Sequence, residues 1–160
     1  MVKDKIVIFG ATGFIGMKLC ENLIKKNYFL IAFTRKKKTL NIKKLKDLGV
    51  KVECVGDLFQ KKKFKKKYSD VSIIINLAGL AHIKTKKIDS NKCFFNKLNN
   101  IEKNIIKNFQ NKNTKLIHIS SGKVNNSVEK STYTLAKKNG EKIIREYYKN
   151  HIILRPPLVY

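Results

Sequence analysis

Tyr133 and Lys137 lie four residues apart, in a stretch whose apolar spacing predicts a helix over 132–148. This spacing places the phenol and the ammonium on one face of the helix. An ammonium beside a phenol favours the phenolate, and such a phenol can act as a general acid or base. Ser121 precedes the pair at the end of a predicted strand, where its hydroxyl could hold a substrate hydroxyl in line. Because Tyr and Lys at this spacing are common on helix surfaces, their meaning depends on the elements around them.

A glycine-rich loop near the amino terminus could bind phosphate. Gly10, Gly13 and Gly16 lie between a β-branched run over 5–9 and a helical pattern over 14–26. The first glycine permits a sharp turn, the second lets backbone N–H groups approach a pyrophosphate, and the third lets helix and sheet pack closely. The pyrophosphate would then meet the positive end of the helix. The alternative, a tight turn without a ligand, is less consistent with a loop between a strand and a helix.

The residues after the second predicted strand distinguish NAD from NADP. In NAD sites an acidic residue there binds the ribose 2′-hydroxyl. This chain has Arg35 followed by three lysines, and a guanidinium can pair with a 2′-phosphate. The sequence therefore predicts NAD(P) with NADP favoured by Arg35, unless these residues only reflect the lysine bias of the chain. Asp57 and Leu58, after the third strand, are predicted to lie beside the adenine, but an ordinary loop Asp that caps the next segment fits nearly as well.

Five repeats of strand and helix, followed by a last strand, position these residues. The predicted strands are 5–9, 29–33, 50–55, 71–75, 116–119 and 151–154. The predicted helices are 14–26, 40–48, a weak stretch ending at 68, 93–109 and 132–148. Continuously apolar strands indicate a sheet covered on both faces, and helical crossovers indicate parallel pairing. The fold class is therefore α/β, a doubly wound parallel sheet of about six strands with helices on both faces, expected as one domain over 1–160.

The charge of the chain raises the question of a nucleic-acid partner. Lys and Arg number 36 against 11 Asp and Glu, a formal net charge of +25. Such a charge would suit a polyanion. However, only three of the 36 are Arg, the residue that nucleic-acid surfaces use for bidentate contacts. Lys, Asn and Ile share A/T-rich codons, so a genomic bias explains the composition, and we expect no specific nucleic-acid partner.

Other classes of protein are also disfavoured. No apolar run approaches the ~20 residues of a membrane helix, and the first ten residues lack the pattern of a secretory signal. The three cysteines are far apart, which argues for a reducing, cytoplasmic setting. No Cys or His pair has ligand spacing, so no metal site is expected.

Taken together, these motifs resemble the extended short-chain dehydrogenase/reductase superfamily, in its NAD-dependent epimerase/dehydratase branch. The matching segments run in the family's order over nearly the whole chain: GATGFIG at 10–16, 57–58, NLAGLAHI at 76–83, HISSGKVNN at 118–126, YTLAK at 133–137 and ILRPPLVY at 153–160. Two of these segments, NLAGLAHI and SSGKVNN, most closely resemble UDP-hexosamine or UDP-galactose 4-epimerase-like proteins of surface-polysaccharide synthesis.

The resemblance implies a Rossmann domain and a role for each candidate. In the family the cofactor takes and returns a hydride, a Tyr is the acid/base, a Lys binds the nicotinamide ribose and a Ser or Thr assists. These roles fall on Tyr133, Lys137 and Ser121. A nucleotide sugar of the UDP-hexose type is the implied substrate, and a homodimer through 93–109 and 132–148 is implied as a possible assembly. The residues expected at the cofactor are Gly10, Thr12, Gly13, Phe14, Ile15, Gly16, Arg35, Asp57, Leu58, Leu77, Ala78, Gly79, Tyr133 and Lys137.

Two departures from the family keep two functions open. Only twelve positions separate Ser121 from Tyr133, fewer than in the family, whose longer loop shapes the sugar pocket. The sequence ends at Tyr160, where the family continues with Gly and Pro and builds a C-terminal substrate lobe. We therefore expect the substrate lobe to be missing. The chain is either an epimerase/dehydratase-type oxidoreductase or a truncated, non-catalytic dinucleotide-binding module that needs a partner or that lobe.

Overall fold

A computed structural model describes residues 4–58, 60, 64, 68, 70–79, 99–109, 113–125 and 131–157. The strands are β1 (Lys5–Phe9), β2 (Phe29–Thr34), β3 (Lys51–Cys54), β4 (Ile73–Asn76), β5 (Lys115–Ile119) and β6 (His151–Leu154). The helices within the described ranges are α1 (Phe14–Lys25), α2 (Leu40–Asp47), α3 (Asn100–Asn108) and α4 (Thr132–Tyr147), with a 3₁₀ turn at Gly122–Asn125. The predicted strands are confirmed, with bounds that differ by one or two residues at most.

The six strands form one parallel sheet in the order β3-β2-β1-β4-β5-β6. β1 pairs with β2 on one side and with β4 on the other, so that Val7 lies between Ile31 and Ile74. Along the chain, β1 to β3 therefore lead to one edge of the sheet, and β4, which lies on the other side of β1, begins the half that leads through β5 to β6 at the other edge. In such sheets ligands bind outside the carboxyl ends of the strands where the direction reverses, which here is the end of β1 and β4.

Helices cover both faces of the sheet, as predicted. Ile6 and Ile8 of β1 pack in a buried cluster with residues of α1 and α2, including Cys20 and Leu45. The alternate residues of the strand, Val7 and Phe9, pack in a second cluster with residues of α3 and α4. This alternation explains why the strands are continuously apolar, because each face of every central strand is buried.

Two predicted helices extend beyond the described residues. The helix predicted over 93–109 is confirmed from Asn100 onward, and Ile101, Ile105 and Phe109 are buried on one face as expected. Residues 93–98 and most of the weak helix ending at 68 lie outside the described residues. None of the described helices is long and apolar enough to cross a membrane.

Candidate functional site

The glycine-rich loop turns tightly at the carboxyl end of β1. Gly10 has a φ of +79°, a conformation that favours glycine, and a Cβ there would lie 2.8 Å from the carbonyl carbon of Leu77. A Cβ on Gly16 would lie 2.3 Å from the carbonyl oxygen of Gly10. Both positions therefore exclude any side chain, because the loop is pressed against the end of β4 on one side and the first turn of α1 on the other.

The start of α1 presents free backbone donors next to this turn. Gly13 is the N-cap residue, and its own N–H donates to the carbonyl of Gly10 at 3.0 Å. No side chain of the described residues caps the helix. Phe14 is 75% exposed and Ile15 is 40% exposed, so the first turn faces outward. Uncapped N–H groups at a positive helix end are the groups that bind phosphate.

A cavity of about 400 Å³ lies between this loop and the end of β2. Its lining residues are Thr12, Thr34, Arg35, Lys36, Thr39, Leu40, Asn41 and Ile42. Two contacts shape it: Asn41 donates its amide to the carbonyl of Thr12 at 2.8 Å, and Thr39 caps α2 by accepting the N–H of Ile42 at 3.2 Å. The lining residues that the structure describes include Arg35 and Lys36 and no acidic residue, which suits an anionic ligand such as a phosphate.

Asp57 and Leu58 do not line that cavity. The carbonyl of Leu58 accepts the side-chain amide of Asn104 at 2.8 Å, and its side chain packs against the core on the α3 face. The carbonyl of Asp57 accepts the N–H of Gln60 at 3.3 Å, and the Asp57 residue is half-buried. Their place beside an adenine therefore stays a prediction.

Two buried polar side chains, one on β4 and one on β5, stabilise the loop after β4. Asn76 is fully buried, and its Oδ1 accepts the N–H of Ala78 at 3.0 Å. Its Nδ2 donates to Nδ1 of His118 on β5 at 3.0 Å. Leu77 donates its N–H to the carbonyl of Phe9 at 2.9 Å. These bonds fix the small residues Ala78 and Gly79 at the carboxyl edge of the sheet.

An apolar cavity of about 410 Å³ lies across this edge. It is lined by Ile15, Leu77, Ile119, Leu154, Arg155 and Pro156, so it joins the start of α1 to the ends of β4, β5 and β6. Two of the predicted cofactor residues, Ile15 and Leu77, thus share one apolar wall.

Tyr133 and Lys137 meet Ala78 and Gly79 at a narrow cleft. The cleft has a volume of about 20 Å³ and is lined by Ala78, Gly79, Ile101, Glu102, Tyr133, Ala136 and Lys137. Ser131 caps α4 by accepting the N–H of Thr134 at 3.2 Å, which fixes the helix turn that carries Tyr133. Lys137 Nζ donates to the carbonyl of Ile119 at 3.0 Å. The same Nζ lies 3.2 Å from the place that a Cβ on Gly79 would occupy, so a side chain at this position would require the ammonium to shift by a few tenths of an ångström.

Ser121 is not brought to this cleft. Its Oγ accepts the N–H of Lys123 at 3.3 Å, and its carbonyl accepts the N–H of Val124 at 3.1 Å, within the 3₁₀ turn. Ser121 is half-buried, and residues 126–130 of the shortened loop lie outside the described residues. Its assisting role therefore stays a prediction.

Burial and neighbouring charges set the protonation of the groups behind the cleft. Burial lowers the pKa of His118 to about 3, and the Lys137 ammonium adds to this effect. Burial also holds the pKa of Lys137 below its ordinary value, against the opposing effect of Glu102 and Glu141. Burial raises the pKa of Glu102 to about 7. A neutral imidazole, a buried ammonium and a carboxyl that titrates near neutrality thus lie together.

Arg155 has a defined partner at the end of β6. It forms two hydrogen bonds to the buried Glu141 of α4, at 2.8 Å from Nε and 2.5 Å from Nη2. Burial works to raise the pKa of Glu141, but the hydrogen bonds from Arg155 and Ser120 and the charges of Arg155 and Arg145 together outweigh it and hold that pKa below its ordinary value. This pair ties β6 to the helix that carries Tyr133 and Lys137. Within the described ranges, no group of His, Cys, Asp and Glu could hold a metal ion.

Sequence reasoning gave no role to three residues near the site. Glu102 follows Ile101 in the apolar stripe of α3, and an acidic residue beside such a stripe could have been interpreted as a buried carboxyl. Asn76 ends a strand of three isoleucines, and His118 alternates with apolar residues in β5. Polar residues at buried strand positions are rare unless they are partnered, so both could have been predicted to pair.

Comparison with known proteins identifies the family. The model of the NAD dependent epimerase/dehydratase family matches residues 6–160. No curated protein matches the chain.

Solved structures share the fold at low sequence identity. Gre2 from Candida albicans, in complex with NADPH, aligns with a TM-score of 0.74 and 20% identity over 98% of this chain and 58% of that chain. Yeast methylglyoxal/isovaleraldehyde reductase Gre2, complexed with NADPH, aligns with a TM-score of 0.72 and 17% identity over 96% and 57%. A short-chain dehydrogenase/reductase superfamily protein from Agrobacterium tumefaciens, with bound NAD, aligns with a TM-score of 0.66 and 16% identity over 94% and 48%. The chain thus spans roughly half to three fifths of the length of these proteins.

Proposed function

The chain belongs to the NAD dependent epimerase/dehydratase family, and we propose that it binds NAD(P) as the cofactor-binding part of an oxidoreductase. The observation that carries this proposal is the convergence, at one edge of the sheet, of the glycine-rich loop and the Tyr133–Lys137 cleft. A dinucleotide needs a phosphate site in the middle with a nucleoside site at each end, and the loop has a cavity on either side of it.

The residues present fit such a cofactor. The backbone N–H groups at the start of α1 would hold the pyrophosphate, since Gly10 and Gly16 let the loop fold without side chains. Thr12 and Arg35 would hold the adenosine end in the basic cavity. Ile15, Leu77, Ala78 and Gly79 would lie at the nicotinamide end. When bound, the nicotinamide supplies hydride transfer to or from a carbon that carries a hydroxyl or a carbonyl.

Tyr133 and Lys137 would serve the proton transfer that accompanies the hydride. The Tyr133 phenol lines the same cleft as the ammonium, and a phenol in that position can take a proton from a substrate hydroxyl or return one. Lys137 is fixed by its bond to the Ile119 carbonyl and would hold the nicotinamide ribose. Ser121 would assist at the substrate hydroxyl after a movement of the 3₁₀ turn that now holds it.

NADP is the proposed choice of dinucleotide. Arg35 lies at the mouth of the basic cavity, exposed and with Lys36 beside it. A guanidinium binds a 2′-phosphate through charge-assisted hydrogen bonds, and among the described lining residues there is no carboxylate for a free 2′-hydroxyl. Structural neighbours are known with NADPH and with NAD, so they do not decide between the two.

For the substrate, we propose a nucleotide sugar of the UDP-hexose type, on the resemblance of the segments at 76–83 and 118–126 to 4-epimerase-like proteins. The yeast structural neighbour is a methylglyoxal/isovaleraldehyde reductase, and hydride transfer between cofactor and a hydroxyl or carbonyl is common to both chemistries. The second candidate, a non-catalytic dinucleotide-binding module, is favoured by the placement of Ser121 outside the cleft.

Two measurements test these proposals. Dinucleotide binding stabilises the folded state, so we expect the melting temperature to rise with added NADPH, and no rise with either NADPH or NADH would contradict cofactor binding. Absorbance of the reduced nicotinamide, followed during incubation with UDP-hexoses, tests turnover. Binding without turnover of any UDP-hexose would favour the non-catalytic module.

A further inference from the structure

Glu102 is a buried carboxyl to which neither the family resemblance nor the proposed function gives a role. Its residue is 6% exposed and lies on α3 beside the buried Ile101. Its Oε2 has no hydrogen-bond partner among the residues that the structure describes. Burying such a group is costly unless a neighbour compensates for it, so its surroundings need an explanation.

A glycine on α4 makes room for this carboxyl. A Cβ on Gly140 would lie 3.1 Å from Glu102 Oε1 and 3.2 Å from Cδ. Gly140 follows Lys137 by three residues, so the two lie on the same face of α4. The Glu102 carboxyl is therefore packed against the helix face that carries Lys137, and both side chains line the cleft with Tyr133.

Three other titratable groups of the described residues face Lys137, and each has another partner or carries no charge that could balance the ammonium. On α4, Glu141 is bound by Arg155 through two hydrogen bonds. On β5, His118 is neutral, because burial lowers its pKa to about 3. Tyr133 of α4 lines the same cleft. Glu141 also opposes the effect of burial on Lys137, but its carboxylate is shared with Arg155, whereas Glu102 Oε2 has no partner among the described residues.

We propose that Glu102 is a positioning residue that keeps the Lys137 side chain protonated and directed to the cleft beside Gly79. One part of this proposal rests on the proposed function, namely that the Lys137 ammonium holds the nicotinamide ribose. Glu102 acts through Lys137 and touches no substrate. Its carboxylate opposes the effect of burial on Lys137, and this support is lost when the carboxyl takes up a proton.

The pH dependence of Lys137 acetylation measures this effect without any cofactor. Acetic anhydride reacts with the unprotonated amine, so the extent of labelling of the Lys137 peptide, read by mass spectrometry over a pH series, reports the protonation of that lysine. In Glu102→Gln we expect the midpoint of labelling to fall by about one pH unit, because the variant removes a nearby opposite charge that favours the protonated lysine. An unchanged midpoint in a folded Glu102→Gln protein would overturn the proposal.

Three further variants separate this role from a structural one. Glu146→Gln removes an exposed carboxylate from α4, the helix that carries Lys137, and should leave the Lys137 midpoint unchanged. Glu102→Asp keeps the charge and should retain most of the wild-type midpoint. Gly140→Ala pushes on the carboxyl, and we expect a midpoint between those of the wild type and Glu102→Gln. If Glu102→Gln does not fold, a wild-type midpoint in Gly140→Ala would overturn the proposal.

Labelling with NADPH present keeps the two proposals apart. Protection of Lys137 by NADPH would support cofactor binding at the cleft, and a lack of protection would contradict it. In either case the midpoint measured without NADPH decides the role of Glu102.

Discussion

His118 should make the protein lose stability in acid, and the loss can be calculated. Its ring is fully buried, and its Nδ1 accepts a hydrogen bond from Asn76. Burial lowers the pKa of His118 from 6.5 to about 3. Below pH 6.5 His118 takes up a proton in the unfolded chain but stays neutral in the folded chain. The free energy of unfolding therefore falls as the pH drops from 6.5 toward 3. At pH 5 the difference is 1.5 pKa units, which corresponds to about 2 kcal/mol.

Glu102 has the opposite effect on the pH dependence of stability, and the two effects must be measured separately. Burial raises the pKa of Glu102 from 4.5 to about 7, so its folded form keeps a proton that the unfolded chain loses. Its contribution to stability therefore improves as the pH falls from 7 to 4.5. Because the two contributions oppose each other, the wild-type protein alone can show little net change, and a comparison with a variant is needed.

Urea denaturation of wild type and His118→Asn at pH 7.5 and pH 5 isolates the histidine. The Asn carbonyl can still accept the bond from Asn76, and the smaller side chain lowers stability equally at both values of pH. We expect the stability advantage of the wild type over His118→Asn to shrink by about 2 kcal/mol at pH 5. Ile117→Val, on the same strand, controls for packing and should show no such change. An advantage of the wild type that is the same at both values of pH would refute a neutral buried His118.

The remaining predictions concern the loop, the cofactor, the chemistry and assembly. Gly16→Ala should destabilise the fold by about 3 kcal/mol or prevent folding, because its Cβ would lie 2.3 Å from a backbone oxygen; urea denaturation measures this, with Lys18→Ala on the same helix as control. Arg35→Ala should weaken NADPH binding about tenfold, the loss of one charge-assisted bond, and leave NADH binding unchanged; calorimetry giving equal losses for both would remove Arg35 from the 2′-phosphate site. Tyr133→Phe should abolish any hydride transfer and leave cofactor affinity nearly unchanged, and a fully active variant would contradict its role as acid/base. We propose a homodimer through α3 and α4, whose exposed charged residues are mostly basic, so sedimentation should show self-association that increases with salt; a protein that stays monomeric at every salt concentration would contradict it.

The sheet and the glycine-rich loop could be predicted from the sequence because their signals are local. Apolar runs such as Lys5–Phe9 can be buried on both faces only in a covered parallel sheet. Gly10 and Gly16 stand where a turn and a close approach require them. Tyr133 and Lys137 were predicted from helical spacing, and they do meet at one cleft.

The contacts between distant segments could not be predicted in the same way. Glu102 and Gly140 are 38 positions apart in the chain, and only the packing of α3 against α4 brings the carboxyl to the glycine. Asn76 and His118 meet because β4 and β5 pair in one register. The position of Ser121 after a predicted strand does not reveal the local turn in which its hydroxyl accepts the N–H of Lys123. Spacing along a chain defines one element at a time, and these contacts depend on how elements dock.

Calorimetric titration of the purified, folded chain with NADPH tests the central claim most directly. We expect saturable binding with one dinucleotide per chain and competition between NADH and NADPH for the same site. If a protein with native secondary structure gives no binding heat with either dinucleotide at several temperatures, the loop after β1 does not hold a pyrophosphate, and the proposed function is wrong.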